Sequence, residues 1–133
     1  MLSRDSKQKL LTEVAKACDF CLKPYRYSVI ENLVNENFKG TEDSIDLTLT
    51  GECRSCDGHR LSDKDLEIEI YRSGLDISIT LAWLSFPNKP ILWYGKHSVW
   101  MDSTNGLRVN NPVDAYELEA LARRLRSSLS VDE

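Results

Sequence analysis

Between Asp65 and Leu81 apolar and polar positions alternate with almost no break. Leu66, Ile68 and Ile70 are interleaved with Asp65, Glu67 and Glu69, and Leu75, Ile77, Ile79 and Leu81 with Asp76, Ser78 and Thr80. A period of two places one set of side chains in a core and the other in water. Ser73-Gly74 supplies the turn, so residues 65–82 read as a β-hairpin. Ile45, Leu47 and Leu49 alternate with Asp46, Thr48 and Thr50 in the same manner and predict a preceding strand. Beyond the hairpin, the prolines of 86–90 mark a loop. Residues 91–94 and 97–101 read as further strand, and Asn105-Gly106 as a tight turn returning through Leu107 and Val109.

Helical spacing replaces alternation at both ends of the chain. Leu11, Val14, Ala15, Cys18 and Leu22 form one stripe of a helix running from about Ser6 to Leu22, stopped by Pro24. Ser28 and Glu31 have the spacing of a capping box, and Ile30, Leu33, Val34 and Phe38 follow at helical intervals, which predicts a second helix closed by Lys39-Gly40. Asp114 and Glu117 form a similar box ahead of Leu118, Leu121, Ala122, Leu125 and Leu129. Arg123, Arg124 and Arg126 then sit near that helix's C-terminal end, where the dipole favours cations. The expected fold is therefore α+β: two N-terminal helices, a mostly antiparallel sheet of 4–5 strands and one C-terminal amphipathic helix. With 133 residues and no linker or repeat, residues 1–133 are expected to form a single domain.

Charge changes the picture more than composition does. The hydrophobic fraction of 41% and charged fraction of 29% are ordinary for a globular chain. The net charge of −4 is unevenly placed: residues 1–30 hold six bases and three acids, residues 31–76 five bases and twelve acids, and residues 77–133 six of each. An acidic middle argues against a nucleic-acid partner, which would call for a basic stripe. No apolar run approaches the ~20 residues of a membrane span, and the opening residues lack the pattern of a signal peptide. A cytoplasmic location follows as the expectation, and with it reduced thiols.

The four cysteines fall into two pairs, Cys18-Asp19-Phe20-Cys21 and Cys53-Arg54-Ser55-Cys56. Two residues between thiolates let both sulfurs reach one ion, so Cys18, Cys21, Cys53 and Cys56 together are a candidate tetrahedral zinc site. The second pair, at a strand end, resembles the knuckle of zinc ribbons, in which turn amides point at the sulfurs. Arg54 and Asp57 stand where such a knuckle has proline and glycine. The competing reading makes the cysteines small core residues, since Cys18 lies on the apolar stripe. A redox role would need a low-pKa thiol at Cys18 or Cys53, yet the first pair ends a helix, where the dipole raises a thiol pKa. His59 follows the second pair and could replace a ligand.

No phosphate loop, zinc-protease helix, nucleophile elbow or deaminase motif is present, so the chain reads as non-catalytic. Residues 62–67 hint at a calcium loop, but Ile68 and Gly74 occupy the positions of its glycine and closing glutamate. An irregular calcium site built from Asp43, Asp46, Asp57, Asp63 and Asp65 is the alternative cation reading. The leading expectation is a small regulatory or inhibitory protein that binds a partner protein with a basic surface. Its expected contacts are Asp65, Glu67 and Glu69 in one outward row, with Trp93 and Trp100 as aromatic anchors. His97 lies among those aromatics.

Overall fold

A computed structural model describes residues 4–32, 44–85, 89–112 and 116–129. Helix α1 (Arg4–Cys21) is followed by strands β1 (Arg26–Glu31), β2 (Ser44–Arg54), β3 (Leu66–Ser73), β4 (Asp76–Trp83), β5 (Ile91–Tyr94), β6 (Ser98–Met101) and β7 (Arg108–Val109), and helix α2 (Tyr116–Leu129) closes the order. The strands form one antiparallel sheet in sequence order, β1 to β7, each pairing with the next. Such a meander needs only short connections where turn residues permit. Ser73 pairs with Asp76, leaving Gly74 and Leu75 as the loop, and Gly74 adopts a φ of 61° that a side chain would resist.

Alternation decides the layering. Leu47, Leu49, Ile68, Ile70, Ile79, Leu81 and Leu92 are buried on one face of the sheet, together with Trp100 from β6. Helix α1 contributes Val14, Ala17, Cys18 and Leu22 to the same core, and α2 contributes Leu118, Leu121, Ala122 and Leu125. Both helices therefore cover one face, α1 against β1 and α2 against β4 and β5. The opposite face carries Asp46, Thr48, Glu67, Glu69, Tyr71, Ser78, Thr80 and Trp93, and no described helix packs on it.

The expected second N-terminal helix is overturned: residues 26–31 are strand β1, and seven strands replace the expected 4–5. Ser28 and Glu31 do not cap a helix. The Ser28 hydroxyl accepts a hydrogen bond from Arg54 Nη1 at 3.2 Å, and Glu31 pairs with Lys7 of α1 at 3.3 Å. The physical reason lies in Tyr27, Val29 and Ile30, whose aromatic and β-branched side chains favour a pleated surface. Tyr27 is buried, Val29 half-buried and Ile30 exposed, so the strand's own alternation was hidden beneath a chance match to the capping pattern. Leu33, Val34 and Phe38, also assigned to that helix, lie outside the described residues, as do Lys39, Gly40 and Asp114 of the last capping box. The strands of the hairpin, the strand from Ile45 and the C-terminal helix stand where the spacing placed them, whereas Leu75 lies exposed in the hairpin loop and Asn105-Gly106 lies within a longer connection, 102–107, between β6 and β7.

The path from β2 to β3 is held by a charged knot. Arg60 donates from Nη1 to Asp65 Oδ1 and from Nη2 to Oδ2, both at 2.9 Å, and again from Nη1 to the Cys53 carbonyl at 2.8 Å. Asp65 Oδ1 also accepts the Cys53 N–H at 2.8 Å. One carboxylate thus fixes a bidentate guanidinium and the end of β2 together. The Arg60 guanidinium holds the Asp65 carboxyl below the usual carboxylate range, assisted by the Cys53 amide, although burial pulls the other way.

Two predictions follow from this layering. Ile68→Ala and Ile79→Ala, at fully buried positions, should each lower unfolding free energy by about 2–5 kcal/mol, whereas Thr48→Ala on the opposite face should cost under about 1 kcal/mol in urea titrations. Asp65→Asn should cost about 1.5–3 kcal/mol at neutral pH. A lowered folded-state pKa supplies stability above the unfolded value near 3.9 that is lost as pH falls through the folded one, so the variant should show a shallower acid limb.

Candidate functional site

The four cysteines occupy three different environments. Cys18 of α1 and Cys53 of β2 are buried, Cys21 is half-buried at the end of α1, and Cys56 is exposed on the turn after β2. Cys18 and Cys53 share the core with Tyr27, whose hydroxyl donates to the Lys64 carbonyl at 3.0 Å and lies against the Cys53 sulfur. Burial pushes the Cys18 thiol up to about 12, with Asp19, Cys21 and Cys53 adding to the shift. Burial raises Cys21 also, opposed by the nearby Arg124 charge, and it raises Cys53, opposed by the Tyr27 hydroxyl. Burial thus favours the neutral thiol, the form that packs as a small apolar group, at these three positions.

The second cysteine turn is organised by serine, not by sulfur. The Asp57 and His59 amides both donate to Ser55 Oγ, at 3.3 and 3.2 Å, and Gly58 N–H donates to the Ser55 carbonyl at 2.9 Å. Among the described residues no group of three or more His, Cys, Asp or Glu side chains is gathered as a metal site. Of the alternative cation set, Asp43 lies outside the described residues, Asp46 faces out from β2, and Asp65 is committed to Arg60. Asp57 sits on the exposed turn and Asp63 in the short 3-10 turn of residues 62–64.

The expected contact residues divide. Asp65 is 7% exposed and belongs to the knot rather than to the outward row, because the chain turns into β3 only at Leu66. Trp100 is 2% exposed and donates its indole N–H to Glu119 Oε1 at 2.9 Å, so it ties β6 to α2. Glu67, Glu69 and Trp93 do face outward, joined by Asp46. The partners across the ladder from Glu67 and Glu69 are Thr50, Ala82, Thr48 and Thr80, none of them cationic. Partial desolvation against the sheet raises the Glu69 carboxyl above its usual range, reinforced by the charges of Glu67 and Asp46.

Next to this acidic row lies a cavity of about 360 Å³. It exists because β4 is longer than the strand beside it: β5 pairs with β4 only from Ile79 to Leu81, so the end of β4 at Asp76–Ser78 has no strand partner on that side. Arg126 from α2 fills part of the gap and donates Nε–H to the Ile77 carbonyl at 3.1 Å. The Trp93 indole folds back over Gly95, where a Cβ would stand 2.5 Å from Trp93 Cη2. Only glycine leaves that ring its place. Tyr71 and Val99 extend the apolar wall, and Lys96, His97 and Asp76 stand at the rim. Tyr71 was legible from strand alternation as an outward residue, whereas Arg126 enters through the docking of α2, which no local pattern announces.

No described helix is long and apolar enough to cross a membrane. No curated protein and no solved structure matches the chain. Residues 11–128, spanning the latter part of α1, β1 to β7 and all but the last residue of α2, match the model of the family described as domain of unknown function DUF8659, and the chain belongs to that family.

Proposed function

We propose that the chain is a non-catalytic binding protein that receives a basic segment of a partner protein on the open face of its sheet. The observation that carries this reading is the one-sided packing. With both helices behind the sheet, Asp46, Glu67 and Glu69 stand in front, uncompensated across the ladder and bordered by Tyr71 and Trp93. Acidic side chains spaced two residues apart on a strand match cations at similar spacing on an extended partner, and neighbouring aromatic rings add cation–π and apolar contact. The row has a cost. Like charges on adjacent positions of one face repel, and the charges of Glu67 and Asp46 add to the burial that raises the Glu69 carboxyl. Carboxylates of raised pKa that face no cation across the ladder are candidates for a role in binding.

Isothermal titration with an oligolysine peptide tests the reading. Reversal of Glu67 and Glu69 to lysine together should weaken binding by about tenfold or more, equivalent to about 1.4 kcal/mol or more, and added salt should weaken the wild type. An equal reversal at Asp57 and Asp63, away from the row, should have a much smaller effect. Equal losses in the two double variants would reduce the binding to net charge and refute the surface. Glu69→Gln should raise stability by a few tenths of a kcal/mol at neutral pH. Because a raised carboxyl pKa disfavours the charged form in the fold, that gain should vanish as pH falls through the Glu69 titration.

A further inference from the structure

The cavity at the end of β4 shares Tyr71 and Trp93 with the acidic face and adds charges of both signs that the acidic row does not use. Two aromatic rings, Tyr71 and Trp93, form its walls, at 49% and 37% exposure. Such large rings left partly in water beside a concave surface offer stacking area at low ordering cost. Charges of both signs surround the opening: Asp76 at the start of β4, and Lys96 in the turn between β5 and β6. Arg126 adds a cation whose position is fixed by the Ile77 carbonyl, and His97 stands next to Lys96. The volume of about 360 Å³ lies near the small end of the range for ligand pockets, roughly 300–1,000 Å³.

We propose that this cavity is a binding site for a free aromatic α-amino acid. An aromatic hydrocarbon would use the rings and engage none of the charges around the opening. A purely anionic ligand would meet Asp76, with Asp46 and Glu69 further along the same face, and a purely cationic one would meet Lys96 and Arg126. A zwitterion answers both: its ammonium group faces Asp76, its carboxylate faces Lys96 on the side where Arg126 adds positive potential, and its ring enters between Tyr71 and Trp93. Charge-assisted hydrogen bonds of this kind gain strength beside an apolar wall that excludes water. The site goes beyond the reading of a protein-binding face, since its ligand is a small molecule and neither Glu67 nor Glu69 lines it.

Calorimetric titration of the full chain with L-phenylalanine is the test. Saturable binding is expected, with N-acetyl-L-phenylalanine, which lacks the ammonium, and phenethylamine, which lacks the carboxylate, each weaker by about tenfold or more. Asp76→Asn should bring L-phenylalanine down to the level of its N-acetyl derivative, and Lys96→Ala should bring it down to that of phenethylamine. Trp93→Ala should abolish binding. Gly95→Ala, which keeps the indole but displaces it, should weaken binding without removing any ligand-facing group. Thermal unfolding of each variant confirms an intact fold. Absence of saturable heat at millimolar L-phenylalanine would overturn the proposal, and so would equal affinity for the trimmed analogues or indifference to Asp76→Asn and Lys96→Ala. Retention of L-phenylalanine binding by the Glu67 and Glu69 reversal keeps this site separate from the fate of the protein-binding reading.

Discussion

One-sided burial of a long antiparallel sheet is the constraint on which the rest of this molecule depends. The apolar inner side chains at the centre of β2, β3 and β4 are buried in one core with residues of α1 and α2. Two helices of 18 and 14 residues cover a seven-stranded sheet on one side. Alternation then forces every second residue to the other side, so the polar face is a consequence of the core and not a separate invention. What the chain places on that face is free to serve binding, because substitutions there disturb little of the packing behind it.

Two polar devices adapt this simple scheme where it would otherwise fail. At one end β2 must leave the sheet and return as β3, and the Arg60–Asp65 pair with its bonds to Cys53 satisfies backbone groups along the turn. At the other end β4 outruns β5, and Arg126 reaches from α2 to take the Ile77 carbonyl that no strand meets. A buried carbonyl without a partner is costly, so an arginine at this place stabilises the frayed ladder as it shapes the cavity. The helix dipole alone had accounted for that residue in the sequence. The docking of α2 gives it a definite partner instead.

The sequence revealed those parts of the fold whose pattern is local. Leu66 to Leu81 announced a hairpin because burial on one face leaves a period-two trace that little else can produce, and Leu118 to Leu129 announced a helix for the parallel reason. Strand β1 was misread because Ser28 and Glu31 reproduce a capping spacing while Ile30, at 49% exposure, is an apolar residue on the outer face. Its alternation is blurred at an edge, where one neighbour is missing and burial is incomplete. Asp65 reads as an outward residue, and Trp100 as either core or anchor, for a related reason. Their partners, Arg60 with Cys53 and Glu119, are chosen by tertiary contact, and nothing in their own neighbourhoods distinguishes a paired acid from a solvated one. The cysteine spacing admits more than one reading, since Cys18 lies on the buried face of α1 while Cys56 lies on an exposed turn whose amides bond to Ser55.

Oxidative footprinting of the native chain by hydroxyl radicals, read residue by residue, tests the one-sided architecture most directly. Tyr71 and Trp93 should oxidise rapidly, while Tyr27 and Trp100, at 6% and 2% exposure, should be protected until the protein unfolds. Protection of Tyr71 and Trp93 to the level of Trp100 would mean that both faces of the sheet are covered, and the account of an open binding face would be contradicted.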